Sequence, residues 1–203
     1  MSVQRAEQIY SSYSGVYDLI FDAIFEPGRK RAIETLDAQP GDAVLEVGIG
    51  TGLSLAHYPE GCLITGIDIS ADMLEKAASK LEALGRKDVT LHRMSAEHVE
   101  FDDGAFDKVL LPHVISCVEK PERVIQEVHR VCRPGGRVVF LNHFGSRNRI
   151  VAKGERYLNP VARKLGFVLD IPFGMVADSG LFHIESVEKV NLLGVTSVVS
   201  CIR

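Results

Sequence analysis

Val44-Leu45-Glu46-Val47-Gly48-Ile49-Gly50-Thr51-Gly52 is the stretch on which the fold turns. The apolar run Ala43–Val47 reads as a buried strand, and it enters a turn with glycine at every second position. Leu53–His57 reads as the opening of a helix beyond it. Without a Cβ, Gly48, Gly50 and Gly52 can take positive φ and let a ligand lie against bare backbone, while a helix N-terminus there offers unpaired N–H groups.

One strand later, Leu63–Ile67 is an apolar run that ends in Asp68 and is followed by Ile69. Asp68 stands twenty-two residues beyond Glu46, where an adjacent parallel strand would place an acid to accept both hydroxyls of a ribose. The alternative role for Asp68 is a cap on the helix that follows. The glycine spacing G-x-G-x-G argues against a nicotinamide oxidoreductase, whose fingerprint G-x-G-x-x-G puts the third glycine one residue later.

At 203 residues and 46% hydrophobic content, the chain is long enough for one substantial core and short for two, so one domain over 1–203 is expected. The net charge of −4 argues against nucleic-acid binding by bulk charge and leaves any anionic partner to a local basic patch. Cys62, Cys117, Cys132 and Cys201 are widely separated and fit neither a zinc spacing nor a small disulfide framework; they suit a reducing cytosol. No apolar run approaches the roughly 20 residues of a membrane span, and there is no signal-peptide pattern. The expectation is a cytoplasmic protein without a transmembrane segment or a metal, and a monomer.

Val3–Phe25 reads as a helix with one apolar stripe made by Ile9, Tyr13, Val16, Tyr17, Ile20 and Ile24. Glu26-Pro27-Gly28 is expected to break it, and Arg29-Lys30-Arg31 to open a second helix running to about Leu36. The segment 1–41 therefore reads as an N-terminal helical part before a core over 42–203. Its aromatic and aliphatic groups beside a basic triplet can pack on the domain, dip into a lipid headgroup layer, or do both.

Beyond Asp68, a helix is expected over Ala71–Leu84, stopped by Gly85, then a third strand over Val89–Arg93 leading to Met94-Ser95-Ala96-Glu97. Phe106–Leu111 is a fourth strand that ends in Pro112-His113, beside the glycine turn if the sheet is parallel. Pro121–Cys132 reads as a helix, Arg133-Pro134-Gly135-Gly136 as a turn, and Arg137–Asn142 as a fifth strand delivering His143 to the same crevice. Ser146-Arg147-Asn148-Arg149 and Lys153 then gather positive charge ahead of a helix to about Leu165, either as a solvated face or as a phosphate clamp. Phe182–Leu192 and Thr196–Ile202 close the chain as a hairpin.

The Glu46-to-Gly52 turn, Asp68 and the Arg130-to-Gly136 run resemble the class I S-adenosylmethionine (SAM) methyltransferases. The Tyr-x-x-x-Tyr-Asp of Tyr13–Asp18, then Phe25-Glu26-Pro27-Gly28-Arg29 and the basic segment after strand five, look like the short bacterial phospholipid N-methyltransferases. The resemblance implies an α/β, Rossmann-like fold with a seven-stranded, mostly parallel sheet, an antiparallel last strand and helices on both faces. It implies SAM as cofactor, S-adenosylhomocysteine as product, and phosphatidylethanolamine at the membrane surface as acceptor, methylated successively to phosphatidylcholine.

Carried onto this chain, the resemblance implies that Glu46, Gly48, Gly50, Gly52, Asp68, Ile69, Ser95, Ala96, Glu97, Pro112 and His113 bind the cofactor. Ser95 departs from the family, where an acid often receives the adenine amino group. Tyr17 or His143 would orient the amine, and Tyr13, Arg29, Arg147 and Arg149 would hold the lipid headgroup and its phosphate. A methyltransferase of a quinone, sterol or soluble small molecule shares the core, and a SAM-binding protein without activity is the remaining alternative.

Overall fold

The computed structural model of the chain describes residues 25–145, 149–164, 166–191 and 195–203. Residues 25–36 form helix α1. The strands are β1 (Ala43–Val47), β2 (Leu63–Asp68), β3 (Val89–Arg93), β4 (Phe106–Pro112), β5 (Cys132–Asn142), β6 (His183–Val190) and β7 (Thr196–Ile202). The further helices are α2 (Ala71–Leu84), α3 (Pro121–Val131), α4 (Arg149–Lys164) and the short α5 (Gly174–Ala177).

The seven strands form one sheet in the order β3-β2-β1-β4-β5-β7-β6. β1 to β5 pair in parallel, while β7 runs antiparallel to both β5 and β6. The Rossmann-like α/β fold with an antiparallel last strand is thus the observed one. Its strand order reverses between β1 and β4, so the carboxyl ends of those two strands open onto a crevice.

Period-two alternation divides the core into two layers. Leu45, Val47, Val109, Leu111, Val138 and Phe140 face one way and meet Val124, Ile125, Val128 and Val131 of α3, whose spacing makes a single helical stripe. Val44, Leu110, Val139 and Leu141 face the other way and meet Ala32, Ile33 and Leu36 of α1. Helix α1 thereby packs on the sheet; residues 1–24, on which the rest of the N-terminal expectation falls, lie outside the described residues.

Three local expectations are corrected. Glu26-Pro27-Gly28 does not break a helix, since 25–36 are helical throughout; Pro27 has no N–H to satisfy, and Gly28 gives its own to Asn191 Oδ1 at 2.6 Å. Leu53–His57 does not open an α-helix: only Leu55–His57 is helical, as a 3₁₀ turn, and Tyr58 is already extended at φ −70°, ψ 139° before Pro59. Arg133-Pro134-Gly135-Gly136 is not a separate turn but the irregular start of β5, with a register shift opposite Phe106 and Lys108.

Arg130, at the end of α3, pins the loops behind β4. It donates to the carbonyls of Val99 at 2.6 Å and Phe101 at 2.7 Å, and to Glu127 and Asp103 at 2.9–3.1 Å. These carboxylates raise its pKa, and the guanidinium in turn holds Glu127 below the usual carboxylate range. Arg130→Met is expected to cost about 2–3 kcal/mol in urea unfolding, because two carbonyls and two carboxylates lose their shared donor.

Candidate functional site

The exits of β1 to β5 and the start of β7 enclose a cleft of about 490 Å³, within the usual size of a small-molecule site. Its floor is the glycine turn. Gly48, Gly50 and Gly52 all have positive φ, at 71°, 56° and 73°. A Cβ on Gly48 would come within 2.5 Å of Val114, and one on Gly52 within 2.6 Å of Leu55, so these two serve close packing. A Cβ on Gly50 would meet nothing within 4 Å, which leaves bare backbone facing the open cleft.

Two carboxylates hold this turn. Glu46, only 1% exposed, lies 2.6 and 2.8 Å from Ser54 Oγ and accepts from the Tyr58 hydroxyl at 2.8 Å. Burial pushes its pKa up to about 7, opposed by Ser54, Tyr58 and the charge of Arg29. Burial and Glu46 push the Tyr58 phenol well above its ordinary value, so it remains a donor. Asp68 accepts the Gly50 N–H through Oδ2 and the Ser70 N–H through Oδ1, each at 2.9 Å. Burial raises its pKa against those bonds. Each Asp68 oxygen keeps a further acceptor site at the cleft wall, so a diol can still be received there. The helix cap is Ser70, which accepts from the Met73 N–H at 3.4 Å.

Beyond β3, Met94, Ser95, Ala96 and Glu97 line the cleft. Ser95 Oγ accepts the Glu97 N–H at 3.2 Å, and Glu97 Oε1 accepts the N–H groups of Glu119 and Lys120 at 2.8 and 3.0 Å. Both therefore shape the loop as well as face the cavity.

Pro112 and His113 stand at the exit of β4. His113 is the most strained residue of the wall: a non-glycine at φ 61°, fixed by its N–H to the Leu141 carbonyl at 2.7 Å and by the Phe25 ring packed edge-on at 5.0 Å. Its Nε2 is buried and has no hydrogen-bond partner among the described residues. Burial first, then the charges of Arg29 and His143, lower its pKa to about 4, so the imidazole is neutral. A satisfied structural histidine is not what stands here; a buried ring nitrogen left open at a cavity costs about 1–3 kcal/mol unless a ligand meets it.

His143, predicted as the base, also lines the cleft, but both of its ring nitrogens are engaged. Nδ1 bonds the Val195 carbonyl, and Nε2 lies 3.1 Å from Glu155 Oε1. It has no lone pair to offer without giving up one of these partners. Arg29 is 9% exposed and lines the cleft together with Phe25. Tyr13, Tyr17 and Arg147 lie outside the described residues, as does the side chain of Arg149, which opens α4. The sequence reading missed Ser54, Tyr58, Phe25 and Glu155. The first two fall eight and twelve residues after Glu46 with no periodic signal, and Glu155 hides in a basic run.

Because its pKa is higher folded than unfolded, Glu46 holds its proton more tightly in the native state. Its contribution to stability is full below about pH 4.5 and is lost as pH rises through about 7. Urea unfolding of the ligand-free protein from pH 5 to 8 is expected to show this decline, and Glu46→Gln to flatten it.

A family model described as a methyltransferase domain matches residues 45–140. A phosphatidylethanolamine N-methyltransferase of Cereibacter sphaeroides is 38% identical over 187 residues, covering 91% of each chain. A demethylmenaquinone methyltransferase of Bacillus cereus is 32% identical over 146 residues, covering 68% of this chain and 62% of its own. Among solved structures, a putative methyltransferase of Haloferax volcanii, in complex with the activator Trm112, has a TM-score of 0.79 at 15% identity, covering 97% and 96% of the two chains. With near-full-length identity on one side and the carboxylate-held glycine turn on the other, the chain belongs to the SAM-dependent methyltransferases.

Proposed function

We propose that the protein transfers methyl groups from SAM to the amine of phosphatidylethanolamine, successively through the mono- and dimethyl forms to phosphatidylcholine, acting as a monomer at the inner face of the membrane. The observation that carries this reading is the neutral, unpartnered His113 Nε2 in the same cleft as the Arg29 guanidinium. An amine two carbons from a phosphodiester meets both groups. The relationship to a phosphatidylethanolamine N-methyltransferase over 91% of each chain supports it.

The residues present fit the cofactor: bare backbone at Gly50 and acceptors on Glu46 and Asp68 suit a cationic donor with a ribose. Gly48, Gly50, Asp68 and Ile69 would hold it from one side, with Gly52 packed behind the turn, and Ser95, Ala96, Glu97 and Pro112 from the other. Bound SAM supplies a methyl carbon already activated on a sulfonium.

The chain's own task is to present a lone pair. Alkylammonium has an ordinary pKa of about 10 and no free pair. Desolvation and the charge of Arg29, which depress the imidazole of His113, act in the same direction on an ammonium beside it. The cleft therefore takes the neutral amine. In the first two transfers His113 Nε2 accepts an N–H from it and turns its lone pair toward the methyl group, and the resulting ammonium gives its proton to solvent. The neutral dimethylamine, which has no N–H, attacks through its lone pair from the same position. Arg29 receives the phosphate. Phe25 and Phe167 line this wall with apolar surface.

A second reading, methyl transfer to a quinone-type acceptor, is favoured by the demethylmenaquinone relative, of which the chain spans 62%. Purified protein incubated with labelled SAM and phosphatidylethanolamine vesicles is expected to yield labelled mono-, di- and trimethylated lipid on chromatography. Label found only in a quinone or soluble acceptor would replace the lipid reading. His113→Ala is expected to lower kcat about 100-fold, the scale of a misplaced nucleophile, with SAM affinity by calorimetry near wild type. Parallel loss of both would return His113 to cofactor binding.

A further inference from the structure

Helix α4 (Arg149–Lys164) buries polar residues and exposes apolar ones. A helix on a water-soluble domain turns its apolar stripe inward and its polar face outward. Here the buried positions are Glu155 at 8% exposure, Asn159 at 6% and Ala162 at 4%, spaced by four and three along one face. Both polar residues are anchored, Glu155 on His143 Nε2 at 3.1 Å and Asn159 through the Leu169 N–H at 2.8 Å. An apolar stripe runs exposed along one flank, from Val151 at 49% exposure through Leu158 at 53% and Val161 at 58% to the outermost Tyr157 at 84%.

Beside that stripe stand Lys153, Arg156, Arg163 and Lys164, all exposed. The helix holds one acid, Glu155, and it is turned inward, so a chain of net charge −4 presents here a face of positive charge alone. Buried polar face, apolar stripe and basic flank together are what a helix lying in the plane of a lipid interface requires. Its stripe enters the acyl boundary and its cations meet anionic headgroups. The helix also lies against the cleft: its Glu155 pairs with His143, which lines the cavity. A surface seated on α4 is one side-chain pair away from the site.

We propose that the outward face of α4 docks the protein on an anionic lipid bilayer. The proposal rests on the lipid reading above for its purpose, since it names the surface from which the acceptor is drawn. The contact itself is decided by the face alone.

The chain contains no tryptophan, so Tyr157→Trp places a single fluorescent reporter at the most exposed point of the stripe, in the full-length protein. Addition of vesicles of phosphatidylglycerol and phosphatidylethanolamine is expected to move its emission to shorter wavelength. Lipids brominated in the upper acyl chain should quench it, and vesicles of phosphatidylcholine should do neither. Leu158→Asp with Val161→Asp is expected to lower vesicle sedimentation at least tenfold, and each of Arg156→Gln and Lys164→Gln about fivefold, in line with the attraction of one cation near such a surface. All four should leave turnover on a monomeric short-chain phosphatidylethanolamine intact, which shows that they remain folded.

Sedimentation with an unmoved reporter would mean docking elsewhere and would overturn the proposal; so would an absence of sedimentation. Short-wavelength emission before lipid is added, unchanged afterwards, would mean that the chain itself or a second copy covers the face. Docking without methylated lipid would remove the substrate reading and keep the face. Methylated lipid with an unresponsive reporter would do the reverse.

Discussion

The buried carboxylate of Glu46 is the constraint to which the rest of the site conforms. An acid 1% exposed at the end of a central strand is costly unless donors reach it. Ser54 and Tyr58 are those donors, and both come from the segment just past the glycine turn. The chain therefore folds that segment into one 3₁₀ turn and brings it back over the acid, where an α-helix would have carried it away. Asp68 completes the turn from the neighbouring strand by taking the Gly50 N–H. The cradle is thus held by side chains before any ligand arrives, and its backbone is preorganised.

The cleft is electrically polarised as a result. Glu46, Asp68 and Glu97 lie along the exits of β1 to β3, while Arg29, His113 and His143 lie across from them on α1 and the exits of β4 and β5. The acidic side suits a sulfonium donor, and the basic side an acceptor that carries an anion. The boundary between them is where His113 is forced to positive φ with an open ring nitrogen. Strain and an unmet polar atom at one residue are tolerated only where the surroundings hold it, and here the Leu141 carbonyl and the Phe25 ring do so. Arg29 affects both sides, since its charge opposes the upward shift of Glu46 and adds to the downward shift of His113.

Expectations from local chemistry held where the local signal was also the physical cause. The period-two runs of β1, β4 and β5 and the stripe of α3 reappear as the two core layers, because burial of alternate residues is what makes such patterns. The same reasoning failed at Pro27 and at Pro134. Proline removes only the bond its missing N–H would have made; here 25–36 stay helical through Pro27, and a strand irregularity accommodates Pro134. The basic run after β5 was legible as charge. Its orientation was not, because the inward turn of Glu155 and Asn159 depends on His143 and Leu169, which reach the helix only once the sheet has formed.

By itself, the amino-acid order determined the sheet, the glycine turn and the two acids that brace it, since each is encoded within a few residues of backbone conformation and hydrophobic period. Only the tertiary structure decided which histidine keeps an open nitrogen. His113 and His143 are equivalent as letters, and it is the packing of Phe25 on one ring and of Glu155 and Val195 on the other that separates a free acceptor from an engaged one.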